Sequence, residues 1–127
     1  MSFRAGLSVL VIDDDADVRE SMIDWLTSNG YEASSASNGR EALKFLRSGV
    51  RAPDAILLDM MMPVMDGLSF RWEQLADPAL APIPVIILSA QGHCREAAVE
   101  LDAAGCIKKP CQPEALIELL GRVCRPS

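Results

Sequence analysis

The sequence predicts an α/β protein in which five short β-strands alternate with five α-helices around a parallel sheet. Short apolar runs alternate along the chain with longer segments whose apolar residues recur with a helical period. Half of the 127 residues are apolar, which is enough to bury a core in a chain of this length. We therefore predict one domain over residues 1–127.

The strands are predicted where apolar runs stop at polar residues. The first, third and fourth runs read SVLVI, AILL and VIIL, which suit buried strands. The second and fifth strands have weaker patterns and are placed by their position between helices. In chain order, the predicted strands are residues 8–12, 32–36, 55–58, 85–88 and 106–108.

The helices are predicted from one-sided apolar spacing. In the first, Val18, Met22, Trp25 and Leu26 share a face, and Asn29-Gly30 provides a stop signal. The last helix opens at Pro113, a residue suited to a first helical turn. The predicted helices are residues 16–28, 39–47, 68–76, 95–103 and a fifth from residue 113.

Charge and early hydropathy narrow the class of function. The net charge is −6 and no basic stripe is present, which argues against direct binding to nucleic acid. The early apolar run, residues 7–12, is too short and too soon followed by acids for a signal peptide or a membrane span. We expect a cytoplasmic protein without a membrane partner.

Four cysteines lie late in the chain and form no CxxC pair. Reduced, buried thiols are therefore expected rather than a disulfide framework. Zinc held by these thiols with His93 is the less favoured alternative. The cysteines are Cys94, Cys106, Cys111 and Cys124.

Polar residues collect at the predicted strand ends. Ligands of open α/β sheets bind outside the carboxyl ends of the strands. Taken singly, these residues have ordinary explanations: Asp15 suits a helix N-cap, Asp66-Gly67 a turn, and Ser89 another cap. Acids, a hydroxyl and an ammonium group at four strand ends together indicate a site. The strand-end residues are Asp13, Asp14 and Asp15, then Asp59, Ser89 and Lys109.

The acid cluster requires a positive counterpart. Two carboxylates about 4 Å apart repel by roughly 4 kcal/mol at an effective dielectric near 20. Mg²⁺ is suited to one or two carboxylates because it takes oxygen ligands and keeps several waters. Such a site supports phosphoryl transfer onto Asp59 as the nucleophile. Lys109 and the cation would neutralise phosphoryl oxygens, and the Ser89 hydroxyl would donate a hydrogen bond to one of them.

Four motifs occur in the order VLVIDDD, ILLDMMMPVMDG, VIILSA and IKKP, and together they extend over nearly the whole chain. In this respect the chain resembles a response-regulator receiver domain, which accepts phosphate from a histidine kinase. The resemblance implies a flavodoxin-like sheet with strand order 2-1-3-4-5. It also implies a sensor histidine kinase or histidine phosphotransfer protein as the donor, and signalling by docking to an unknown target.

The resemblance assigns roles to individual residues. Asp59 matches the phosphoacceptor, Ser89 the switch hydroxyl, and Lys109 the lysine that precedes a proline. It further implies a cis peptide bond between Lys109 and Pro110. The implied metal ligands are Asp14 directly, Asp13 mainly through water, Asp59, and the backbone carbonyl of Met61.

The chain departs from the family pattern at the fifth strand. Receivers usually carry Tyr or Phe three residues before the lysine, whereas this chain has Cys106. A small thiol gains little by moving compared with an aromatic ring. We therefore expect Ser89 still to move on activation, with the visible change confined to residues 90–95 and the start of the fourth helix.

Two other functions remain as alternatives. A haloacid-dehalogenase-type phosphatase also uses an aspartate nucleophile, but it resembles DxDx[TV], whereas this chain places Asp13, Asp15 and Asp17 in DxDxD. A pseudo-receiver would share the fold without taking phosphate, and its usual loss of an acid or the lysine is not seen. We expect no enzyme activity beyond the chain's own phosphorylation and dephosphorylation. After the fifth helix no length remains for an output domain, so the chain either acts by docking or is a fragment.

Overall fold

A computed structural model describes residues 7–49, 51–60, 62, 64–89, 94–109 and 112–124. Five strands alternate with five helices, as the sequence pattern predicts. Among these described residues, no helix combines the length and apolarity needed to cross a membrane. The elements are β1 (Ser8–Ile12), α1 (Ala16–Ser28), β2 (Glu32–Ala36), α2 (Gly39–Leu46), β3 (Ala55–Asp59), α3 (Gly67–Ala76), β4 (Val85–Ser89), α4 (Cys94–Glu100), β5 (Gly105–Lys108) and α5 (Pro113–Val123).

The strands form one parallel sheet in the order β2-β1-β3-β4-β5, which confirms the predicted fold. β1 lies between β2 and β3, with Val9 opposite both Ala33 and Ala55. Parallel strands end at the same edge of a sheet, so residues that follow β1, β3, β4 and β5 are brought together there.

The sheet separates two hydrophobic clusters. Alternate strand residues point to opposite faces, so Leu10 packs in one cluster and Val11 in the other. Phe70 of α3 belongs to the first cluster, while Met22 and Leu116 of α1 and α5 belong to the second. The predicted inward face of α1 is confirmed: Met22 and Leu26 are buried, and Val18 and Trp25 pack partly buried against them.

The end of α4 differs from the prediction. The helix stops at Glu100 rather than at residue 103 because Asp102 adopts a left-handed conformation with φ of 51°. The N–H of Ala103 donates to the carbonyl of Ala98, and the N–H of Asp102 donates to that of Val99. These two bonds make a Schellman motif, which usually contains glycine. An aspartate in this position gave no stop signal in the sequence.

A buried polar network fastens α3 to two loops. The Arg71 side chain is 4% exposed, and its guanidinium donates to the carbonyls of Leu101 and Asp102 at 2.9 and 2.7 Å. It also donates to Gln74, which in turn donates to the carbonyls of Leu80 and Ile83. Burial lowers the pKa of Arg71, against the opposing charge of Asp102. The sequence pattern did not predict this network.

The expectation of reduced cysteines is wrong for two of the four. Cys94 and Cys106 form a disulfide, with their Cα atoms 5.6 Å apart. A CxxC motif joins cysteines that are neighbours in sequence. This bond instead joins α4 to β5, which only the fold brings into contact. A disulfide sulfur is not a thiolate ligand, so the zinc alternative fails for this pair. Cys124 has the expected buried thiol, and His93 and Cys111 lie outside the described residues.

Candidate functional site

Three carboxylates meet at the carboxyl edge of the sheet. Asp13 and Asp14 follow β1 and Asp59 ends β3, and one oxygen from each can be chosen so that all lie within 4.8 Å of one another. Asp13 is fully buried and Asp59 is 5% exposed, whereas Asp14 is open to solvent. The site therefore has a buried floor and one exposed acid at its entrance.

The three consecutive aspartates have different roles at the start of α1. The Asp13 carboxylate accepts a hydrogen bond from the backbone N–H of Asp15, and the Asp13 carbonyl accepts one from Arg19. Asp15 caps the helix by accepting from the N–H groups of Asp17 and Val18, which confirms its predicted role. Only Asp13 and Asp14 of the run therefore face the site.

Asp59 is held by strand pairing and by a close approach of α3. It extends β3 one residue beyond the prediction because it pairs with Leu88 of β4. A Cβ atom added at Gly67 would lie 2.8 Å from the backbone oxygen of Asp59. Only glycine lets the helix begin so near the backbone of Asp59. Asp66, expected only as a turn residue, is the N-cap of α3 and accepts from the N–H of Ser69.

Lys109 connects the two buried acids. Its Nζ lies 3.1 Å from Oδ2 of Asp13 and 3.3 Å from Oδ1 of Asp59. Burial alone would lower the pKa of Lys109, but the hydrogen bonds and charges of Asp13 and Asp59 outweigh it and raise that pKa. Lys108 is exposed, as expected because neighbouring strand residues point in opposite directions.

Ser89 lies at the end of β4, where the sequence analysis placed it. It extends β4 one residue beyond the prediction because it pairs with Lys108 of β5. Its carbonyl accepts a 2.8 Å hydrogen bond from the N–H of Lys109. Met61 and Pro110 lie outside the described residues, as do residues 90–93, so the implied Met61 carbonyl ligand and cis bond stay predictions.

The donor set suits a small divalent cation. Three carboxylates converge with a single ammonium group, which leaves an excess of two negative charges when all are ionised. All three acids offer oxygen, the donor that Mg²⁺ prefers. Exposed Asp14 gives the cation a route from solvent. The residues present therefore fit a Mg²⁺ ion.

The fold and this edge define a flavodoxin-like α/β protein with an acidic site at the carboxyl ends of its strands. The model of the response regulator receiver domain family matches residues 9–121, so the chain belongs to that family. A response regulator, MprA, from Mycolicibacterium vanbaalenii is 42% identical over 115 residues, covering 91% of this chain and 48% of the relative. MprA from Mycobacterium ulcerans is 41% identical over 118 residues, covering 93% of this chain and 49% of the relative. The chain thus spans about half the length of the curated relatives it matches.

Solved structures show the same architecture. The chemotaxis protein CheY4 of Vibrio cholerae superposes with a TM-score of 0.84 at 30% identity, covering 94% of this chain and 99% of that one. A response regulator receiver protein from Pseudomonas putida gives a TM-score of 0.84 at 28% identity, covering 93% and 98%.

Two supporting residues, Arg19 and Gly67, are not predicted from the sequence. Arg19 holds the Asp13 carbonyl, and its position one turn into an amphipathic helix resembles that of any surface arginine. The Asp66-Gly67 pair predicts a turn; a glycine directly after an aspartate that can cap the next helix is the signal that points to the close approach.

Proposed function

We propose that the chain accepts a phosphoryl group on Asp59 and thereby acts as the phosphorylated receiver of a two-component phosphorelay. The observation that carries the proposal is the position of Lys109 Nζ, between the carboxylates of Asp13 and Asp59. Asp59 is then a buried nucleophile with a fixed positive charge beside it and an open acid at the entrance.

The chain's own residues supply position and charge. An oxygen of Asp59 attacks phosphorus, the bond from phosphorus to the donor breaks, and the leaving group takes the electron pair. With a phosphohistidine donor, that bond is P–N and the imidazole departs. Lys109 lies close enough to Asp59 to neutralise part of the phosphoryl charge. The Ser89 hydroxyl is proposed to donate a hydrogen bond to a phosphoryl oxygen.

Mg²⁺ is the proposed cofactor. Asp14 would bind it directly, Asp13 mainly through water, and Asp59 and the Met61 carbonyl would complete the protein ligands. When bound, the ion supplies positive charge to the phosphoryl oxygens. The excess negative charge of the three acids over Lys109 supports this assignment.

Family membership supports the proposed partners. A histidine kinase or histidine phosphotransfer protein is the proposed donor, and a downstream protein that docks to the phosphorylated form is the proposed target. The single receiver domain over residues 1–127, its cytoplasmic location and its lack of activity on outside substrates remain predictions.

The phosphatase alternative conflicts with the start of α1. Its motif needs acids at alternate positions to act in one site, but Asp15 is used as a helix cap. Retention of Asp13, Asp14, Asp59 and Lys109 at one edge argues against a pseudo-receiver.

Acetyl phosphate with Mg²⁺ tests the proposal. Intact-mass spectrometry should show one added phosphoryl group, removable by hydroxylamine as expected of an acyl phosphate. Asp59→Asn should show none, while Asp66→Asn, which keeps a capping side chain, should behave like wild type. Absence of the adduct with both acetyl phosphate and a phosphoramidate donor would favour the pseudo-receiver.

A further inference from the structure

The disulfide connects the start of a helix to a strand that leads into the site. Cys94 is the first residue of α4, and Cys106 lies in β5 opposite Ile87 of β4. Both cysteines are half-buried, and Cys106 packs against the hydrophobic cluster on the side of the sheet that includes α3. The bond therefore fixes α4 to β5 covalently.

The location of the bond suits reversible formation. The two cysteines are 12 positions apart in sequence and sit on elements that pack directly together. Their Cα separation of 5.6 Å lies in the usual range for a disulfide. Partial exposure leaves the pair open to a small thiol reagent. In the cytoplasm, where we expect this chain, most protein disulfides are transient or redox-sensing.

We propose that Cys94 and Cys106 are a redox modification site that restrains α4 in its oxidised state. The oxidant is a low-molecular-weight disulfide of the glutathione class. One cysteine thiolate attacks a glutathione sulfur and expels glutathione thiolate; the second attacks the protein sulfur of the mixed disulfide and expels another. The protein loses two protons and two electrons, and one oxidised glutathione takes them up to become two reduced glutathione molecules.

The same strand connects this pair to Asp59. Cys106 lies three residues before Lys109, whose ammonium group contacts the Asp59 carboxylate. A phosphoryl group on Asp59 brings new negative charge close to Lys109. The electrostatic change therefore acts first on the end of β5, which Lys109 follows directly. A disulfide that holds β5 to α4 resists any accompanying movement between them. This last step rests on the proposed function and predicts that phosphorylation favours the reduced dithiol.

Because thermodynamic linkage is reciprocal, the coupling can be measured as the effect of oxidation on phosphorylation or as the effect of a phosphoryl mimic on oxidation. If oxidation disfavours the phosphorylated arrangement by some factor, a phosphoryl mimic must disfavour the disulfide by the same factor. Couplings of this type span about 5-fold to 150-fold in equilibrium constant. We expect a shift of about fivefold or more.

The first experiment tests the modification site alone. Reduced protein is equilibrated in glutathione buffers of graded ratio, quenched in acid, alkylated and mapped by mass spectrometry. We expect one transition in which Cys94 and Cys106 together escape alkylation, unchanged in the control Cys111→Ser. Amide exchange in α4 should be slower by about tenfold or more in the oxidised protein, as expected when a local opening is restrained. The double variant Cys94→Ser, Cys106→Ser should show no redox dependence. Independent alkylation of the two cysteines, or equal exchange rates in the two states, would overturn the proposal.

The second experiment repeats the glutathione titration with Mg²⁺ and beryllofluoride, a phosphoryl mimic. The midpoint of wild type should move toward the dithiol, and that of Asp59→Asn should stay. If reduced wild type is phosphorylated on Asp59 but the midpoint does not move, the proposed coupling is wrong and the proposed function stands. If Asp59 takes no phosphoryl group while the first experiment succeeds, the proposed function is wrong and the redox site stands.

Discussion

The ammonium group of Lys109 lies 3.1 Å from a carboxylate oxygen of Asp13, a residue with no exposed surface and 96 positions earlier in the chain. A buried carboxylate is costly without a compensating charge. The pair therefore stabilises the arrangement of β1 and β5 and also places the Lys109 ammonium group beside Asp59. The same contact predicts that removal of the Lys109 charge alters both phosphorylation of Asp59 and binding of Mg²⁺.

Lys109→Met should slow phosphorylation of Asp59 by about 100-fold, because removal of one preorganised charge contact costs on the order of 10²–10³ in rate. Binding of Mg²⁺ should become tighter by about 30-fold, since a unit charge about 4 Å from a divalent ion contributes on the order of 2 kcal/mol in water. Phosphate incorporation and calorimetry measure the two effects. Lys108→Met is the control because Lys108 is exposed on the adjacent position. Equal rates in the two variants would show that Lys109 has no part in the transfer.

Asp14→Asn should stabilise the protein in EDTA by about 1 kcal/mol, because it removes one carboxylate from a repelling cluster. Wild type should gain about 1.4 kcal/mol from Mg²⁺ at ten times its Kd, and the variant less than half of that. Urea unfolding with and without Mg²⁺ measures both. Asp15→Asn should respond like wild type because Asn also caps helices. A full Mg²⁺ response in Asp14→Asn would remove Asp14 from the ligand set.

Gly67→Ala should destabilise the fold by about 1–3 kcal/mol, the usual cost of forcing extra atoms into a packed site. The added methyl would lie 2.8 Å from backbone atoms of Asp59 and Met60, so the backbone around Asp59 or the start of α3 must shift. Phosphorylation should slow in parallel. Chemical unfolding and acetyl phosphate incorporation provide the measurements, with exposed Ser69→Ala on the same helical turn as control. A wild-type rate in Gly67→Ala would mean that the backbone there yields freely.

Gln74→Leu should cost about 2–4 kcal/mol of stability, since it removes the buried amide that donates to the carbonyls of Leu80 and Ile83 and accepts from Arg71. The loss should appear as a lower urea midpoint. Glu73→Gln, on the exposed neighbouring position, should change stability by less than about 0.5 kcal/mol. If Gln74→Leu and Glu73→Gln have the same urea midpoint, the prediction is wrong, and water takes over the hydrogen bonds of the missing Gln74 amide.

The fold could be predicted from the sequence because strand and helix patterns are local signals that alternate along the chain. Only β2 and β5 lack a clear strand pattern. It also placed Asp13, Asp14, Asp59, Ser89 and Lys109 at one edge, since parallel strands end together. The roles of these residues stay predictions that the experiments above address.

Contacts that depend on tertiary structure could not be predicted in this way. The Cys94–Cys106 bond and the Arg71–Gln74 network join segments that no sequence period connects. The sequence predicts too late an end for α4 because Asp102 takes the left-handed position that glycine usually marks.

The 96 positions between Asp13 and Lys109 also bear on biosynthesis. As the polypeptide leaves the ribosome, Asp13 and Asp59 emerge well before the lysine that compensates them, and domains generally fold from the amino terminus during synthesis. A nascent chain that ends before β5 therefore carries paired acids without their cation. Completion of the sheet and arrival of the lysine that partly offsets its acidic edge are the same event, so a prematurely terminated chain keeps the full repulsion among these carboxylates.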